Sequence, residues 1–138
     1  MSKQIFIGKT YNIKKNSIGI EYNMTQQKSF LNMIYLGEDF TEKKELEKNI
    51  KRKINSYKQQ DIKKKKFNEI QFIKYNNVIE KLIISKLKCY YCNCDIKLLY
   101  SKSKEPQQWT LERINNKEGH TKFNTVCACL KCNLERRT

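Results

Sequence analysis

Apolar positions recur with helical spacing through most of this chain and alternate as in strands only near its C-terminal end. Phe30, Leu31, Ile34 and Tyr35 predict a helix over residues 25–36 that stops at Gly37, because glycine adopts the left-handed backbone that closes a last turn. Leu46, Ile50, Ile54 and Tyr57 mark one face of a longer helix. Its expected N-cap is Thr41, with Glu42 and Glu45 at the positive end of the dipole and the end at about Lys66. Lys43, Lys44, Lys48, Lys51, Arg52, Lys53 and Lys58 are assigned to its other, solvated faces. Asn77 is expected to cap a short third helix, with Val78, Ile79, Leu82 and Ile83 inward and Lys81, Lys86 and Lys88 outward. Ahead of all these, Ile5-Phe6-Ile7 and Ile18-Gly19-Ile20 are either two strands of a hairpin or poorly ordered.

The spacing changes after residue 100. A polar loop holding Pro106 leads into residues 108–113, which alternate as a strand. Residues 115–119 form a turn, residues 125–127 a returning strand, and the chain from Cys129 onward a helix with Leu130 and Leu134. Two C-x-x-C pairs flank this stretch, Cys89 with Cys92 and Cys129 with Cys132. Four thiolates so paired can close a tetrahedral Zn2+ site. Cys94 and Cys127 are read as buried small residues, with replacement of a neighbouring ligand as the alternative. Trp109 and Leu111 are read as strand core, with Trp109 as a base-stacking residue as the alternative. The fold class is α+β. Residues 1–40 form an N-terminal extension, 41–88 a basic helical region and 89–138 a zinc-binding module.

Charge adds a partner to this picture. Lys and Arg total 29 against 14 Asp and Glu, a net charge of +15. Such an excess fits a polyanion, DNA first and RNA second. The bland alternative is an AT-rich coding bias toward Lys, Asn, Ile and Tyr, which does not explain the imbalance of sign. No long apolar run points to a membrane. The start Met1-Ser2-Lys3-Gln4 leads into no apolar core of a signal peptide, so the cysteines are expected in an intracellular metal site, in cytoplasm or nucleus, rather than in disulfides. Lys63, Lys64, Lys65 and Lys66 are candidate phosphate contacts, as are Arg136 and Arg137, or else a solvated face. Four successive lysines lie on all sides of a helix and cannot all face one groove.

The ordered set Cys89-x-x-Cys92, Trp109-Thr110-Leu111-Glu112-Arg113, Gly119-His120, Phe123-Asn124 and Cys129-x-x-Cys132-Asn133 resembles the HNH, or ββα-metal, endonucleases. It is similar in layout to the zinc-bearing branch like phage recombination endonuclease VII. The resemblance covers Cys89 to about Arg137, a little over a third of the chain. It implies a treble-clef zinc module, with Cys89, Cys92, Cys129 and Cys132 on a structural zinc. It also implies a catalytic Mg2+ or Mn2+ held by Glu112 and Asn133, with Asn124 positioning the loop that carries the general base. Members usually carry His directly after the acidic residue, where this chain has Arg113, suited to clamping a phosphate. His120, the only histidine, is then the candidate base from a shifted position, or a metal ligand, or an ordinary loop residue. The chain ends at Thr138, early in a helix that members commonly continue.

The implied activity is metal-dependent hydrolysis of phosphodiester bonds in DNA. A non-catalytic zinc-finger DNA-binding protein, resembling large-virus late transcription factors, is the alternative, and a zinc-stabilised protein-interaction module a third.

Overall fold

A computed structural model describes residues 21–136. The two strands considered over Ile5-Phe6-Ile7 and Ile18-Gly19-Ile20, and the contact assigned to Arg137, lie outside the described residues. The order is α1 (Met24–Leu36), α2 (Lys43–Lys63), α3 (Tyr75–Ser85), β1 (Trp109–Arg113), β2 (Thr125–Cys129) and α4 (Leu130–Arg136), an α+β arrangement of four helices and one two-stranded sheet.

Helix α1 starts on a reciprocal cap. The Asn23 side chain accepts from the Gln26 N–H, and the Gln26 side chain accepts from the Asn23 N–H. It ends at Gly37, whose φ of 74° is left-handed. Phe30, Leu31 and Ile34 enter the core. Gln27 is buried with them, and its amide is spent on backbone: Oε1 accepts from Leu98 and Leu99, and Nε2 donates to Tyr22 and Leu99. Those bonds fasten α1 to the segment before β1 at no cost in unpaired polar groups.

Helix α2 buries Leu46 and Ile50 completely and packs Ile54 and Tyr57 against the same core. Its N-cap is Glu42, in helical backbone and without a side-chain bond, rather than Thr41. Its last helical residue is Lys63, not Lys66, and Lys65 turns left-handed at φ 59°. Helix α3 begins one turn earlier than Asn77 alone suggested. Asn77 is its third residue, and its Oδ1 accepts from the Lys74 N–H at 3.1 Å. Val78, Ile79 and Leu82 are buried as expected. Lys81 does not point outward: its Nζ donates to the Thr125 carbonyl at 2.8 Å and joins α3 to β2. Lys88 is half-buried and pairs with Asp95 at 2.6 Å.

Strands β1 and β2 run antiparallel, with Trp109 opposite Cys129, Leu111 opposite Cys127 and Arg113 opposite Thr125. The returning strand therefore extends two residues beyond Cys127, and α4 follows with no loop. Trp109 is fully buried, which removes it as a base-stacking surface. No helix among the described residues is long and apolar enough to cross a membrane.

Candidate metal centre and basic cleft

The two C-x-x-C turns come together at the junction of β2 and α4. The Sγ atoms of Cys89, Cys92, Cys129 and Cys132 all lie within 4.8 Å of one another, and Cys92 and Cys129 are 3.9 Å apart. A tetrahedral ion with Zn–S bonds of about 2.3 Å requires sulfurs about 3.8 Å apart. The four cysteines are thus placed to hold a metal ion such as zinc. Both turns direct a backbone N–H at a sulfur: Tyr91 N–H to Cys89 Sγ and Cys132 N–H to Cys129 Sγ, each 3.4 Å. The Tyr90 N–H donates to the Cys127 carbonyl at 2.9 Å and ties the first turn to β2.

The thiols do not titrate alike. Cys92 is drawn down to about 6, chiefly by the Cys94 backbone N–H. Burial pushes Cys129 and Cys132 up, with Cys89 adding to it at both and Cys132 partly opposing it at Cys129. A dication would supply the charge that lets all four ionise. Cys94 and Cys127 stand outside the cluster, and burial raises each to about 12. Cys127 is buried, in keeping with a packing role, whereas the half-buried Cys94 thiol lies within hydrogen-bond reach of Cys92 and Cys129.

Beside the cysteine cluster lies a cleft of about 610 Å³, between α2, β1 and α4. Glu112, Arg113, His120 and Asn133 line it, so four of the five expected catalytic residues converge there. Asn124 does not line it and acts on the loop instead. Its Oδ1 accepts from the Asn115 N–H at 2.9 Å, while Nδ2 donates to the carbonyls of Asn115 and Gly119 at 3.0 and 2.9 Å. One buried amide thereby closes the loop that presents His120.

Glu112 is the next-to-last residue of β1, and its Oε2 pairs with Arg136 Nε at 3.3 Å. The Arg136 guanidinium also lies 4.0 Å over the Tyr91 ring. The Asn133 amide is oriented by its Nδ2, which donates to Thr110 Oγ1 at 3.0 Å. Arg113 Nη1 donates to the carbonyls of Asn116 and Glu118, so part of its fork braces the loop. Of the lysine run, Lys64 and Lys66 line the cleft and Lys63 and Lys65 do not. Two successive residues on an ending helix diverge, and the left-handed turn at Lys65 brings Lys66 back.

Two lining residues were assigned otherwise from sequence or not singled out. Lys53, expected on a solvated face, lies 4.7 Å over the Trp109 ring and 5.2 Å over the Tyr100 ring, and donates to the Trp109 carbonyl. Burial lowers its pKa to about 7. Tyr57 stacks on the His120 ring at 4.7 Å and accepts the Leu111 N–H at 3.1 Å.

His120 is buried and meets Asp61, a residue outside the expected site. Its Nδ1 lies 2.8 Å from Asp61 Oδ1, and its backbone N–H donates to Asp61 Oδ2 at 2.7 Å. Burial lowers its pKa below the usual 6.5, partly opposed by Asp61, while Arg113 and Lys64 push the same way as burial. The imidazole is therefore neutral at pH 7. The available signal for Asp61 was its register: it stands four residues after Tyr57, in line with the apolar stripe.

No protein-family model, curated protein or solved structure matches this chain.

Proposed function

We propose that the protein is a metal-dependent endonuclease of HNH type that hydrolyses phosphodiester bonds in DNA, built on a treble-clef zinc module. The observation that carries this reading is the meeting, in one basic cleft, of a neutral imidazole, a carboxylate and an oriented amide beside a four-thiol cluster. Lys64, Lys66, Arg113 and Arg136 outweigh Glu112 along the cleft wall, which suits a polyanionic backbone.

Zinc at the four cysteines is structural in this reading. Glu112 and Asn133 offer a carboxylate and an amide oxygen, hard donors that fit Mg2+ or Mn2+. Such an ion, when bound, polarises the phosphate and offsets charge on the departing oxygen. The remaining steps belong to the chain. Lys64 and Lys66 hold the phosphate backbone, Arg113 clamps the phosphate while bracing the loop, and Asn124 fixes that loop. His120 accepts the proton of the attacking water, the task suited to an imidazole that is neutral at pH 7. His120→Ala should lower the rate of plasmid nicking by roughly two to four orders of magnitude. Full activity in that variant would remove His120 from the chemistry.

The DNA contacts can be tested separately. Replacing Lys64 and Lys66 together by Ala should reduce the slope of log K against log salt by about 0.9 for each lost phosphate contact. The matching change at Lys63 and Lys65, which lie off the cleft, should leave the slope nearly unchanged. Fluorescence anisotropy across a salt series measures both, and equal slopes for the two double variants would contradict the assignment.

One observation favours the second reading, a DNA-binding protein without cleavage. Arg136 already pairs with Glu112, so a cation at that carboxylate has to displace or share with a guanidinium. Tight binding without cleavage in any divalent ion would select it.

A further inference from the structure

We propose that Asp61 is the positioning residue of His120: from the end of helix α2 it holds the imidazole in the Nδ1–H tautomer and turns the Nε2 lone pair toward the cleft. The inference rests on the reading of His120 as proton acceptor, and its test is separable from that reading.

The grip has two points. Oδ1 meets the ring at Nδ1 (2.8 Å), and Oδ2 accepts the backbone N–H of the same residue (2.7 Å). An ionised carboxylate can only accept, so the ring proton belongs on Nδ1 and the lone pair on Nε2. The rest of the surroundings fix the ring in that pose. Tyr57, one turn earlier on α2, covers one face at 4.7 Å and 24°. The His120 carbonyl accepts from the Ile73 N–H at 2.9 Å. Gly119 permits the approach, because a Cβ there would stand 2.5 Å from Asp61 Oδ2 and 2.7 Å from the Lys66 carbonyl.

Asp61 is 2% exposed, and both its oxygens are spent on one residue 59 positions away. A carboxylate needed only to close the loop would require the backbone bond alone. The second bond gives the imidazole a defined tautomer and stabilises the imidazolium formed when Nε2 takes a proton. The charged groups that act on the ring are Asp61 from α2, Lys64 just beyond it and Arg113 from β1. Asp61 alone among these favours the protonated ring, so its loss should lower the titration midpoint further.

His120 is the only histidine, so a long-range ¹⁵N–¹H correlation spectrum of labelled, zinc-loaded protein reports its tautomer without assignment. The unmutated protein is expected to show the Nδ1–H form above its titration midpoint. Asp61→Asn can offer an N–H to Nδ1, so the ring should switch to the Nε2–H form and titrate at lower pH. Its nicking rate should fall about 10²- to 10⁴-fold with DNA affinity retained. An Nε2–H ring in the unmutated protein would overturn the proposal, and needs no variant to fold. So would an Asp61→Asn protein that keeps the Nδ1–H form, the same midpoint or the same rate. If the unmutated protein cuts no DNA, the endonuclease reading fails, while the spectrum still decides whether Asp61 sets the tautomer.

Discussion

Cys132→Ser is expected to remove bound zinc and detach the C-terminal helix from the rest of the fold. Helix α4 has seven residues, and none of them is fully buried. A helix of that length does not persist in water on its own propensity. It is held by the cysteine cluster through Cys132, by the Asn133–Thr110 and Arg136–Glu112 contacts, and by the Leu130 and Lys131 N–H groups, which donate to the carbonyls of Gln108 and Pro106. Structural zinc in small modules contributes on the order of 10 kcal/mol to folding at neutral pH. Losing one of four thiolates therefore outweighs any single packing contact here. Cys89→Ser should be more damaging still, because Cys89 is 2% exposed and belongs to the core that also contains Leu87, Ile96 and Trp109. Metal analysis should give about one zinc per chain for the unmutated protein and little for either variant. Thermal unfolding should drop in both, and further in Cys89→Ser. A folded, unmutated protein that carries no metal would contradict the structural role given to the cluster.

Glu112→Ala is expected to abolish cleavage while leaving zinc content and folding in place. Glu112 lies on β1 opposite Val126 and is not one of the four clustered metal-ligating groups, and its carboxylate lines the cleft beside Arg136. A divalent ion held there contributes several kcal/mol to transition-state stabilisation, so its loss corresponds to roughly 10³-fold or more in rate. The same substitution removes a negative charge from the cleft and releases Arg136, so DNA affinity should hold or rise. This combination, tighter binding with no cutting, separates loss of the working ion from loss of the DNA site. Nicking by Glu112→Ala at the unmutated rate would show that this carboxylate holds no working ion.

Much of this was legible in the chain because it is local. The apolar residues of α1, the Leu46–Ile50–Ile54–Tyr57 stripe and the alternation in β1 each carry their period over a few turns or residues. Gly37 ends α1 where a left-handed residue was expected. The paired cysteines come together as their spacing suggested, since each C-x-x-C turn sets two sulfurs and the Tyr90 N–H bond to the Cys127 carbonyl ties the first turn to the strand that leads into the second. What escaped depends on distance along the chain. Asp61 and Lys53 carry side chains that ordinarily face water, yet one is buried against a residue 59 positions later and the other is laid across Trp109, 56 positions later. Their register beside the apolar stripe was the one local hint, Asp61 standing four residues after Tyr57, and their charged side chains outweighed it. The cap of α2 escaped for another reason: Thr41 has the preferred chemistry, but the helix starts beyond it, from Glu42.

The divergence of the lysine run has the same origin. Sequence places four equivalent charges side by side, whereas the helix end and the left-handed Lys65 divide them into two that line the cleft and two that do not. Arg113 likewise gains a second task, bracing the loop carbonyls of Asn116 and Glu118, that its place beside Glu112 did not reveal.

The central claim is that the cleft beside the cysteine cluster cleaves DNA with the help of a divalent ion. Nicking of supercoiled plasmid by zinc-loaded protein, measured across a titration of Mg2+ and of Mn2+ at fixed salt, tests it most directly. The expected result is no nicking without an added ion, and nicking that rises to saturation with it and is absent in Glu112→Ala. Plasmid that stays supercoiled at every concentration of either ion, while the protein is folded and bound to it, would contradict the claim.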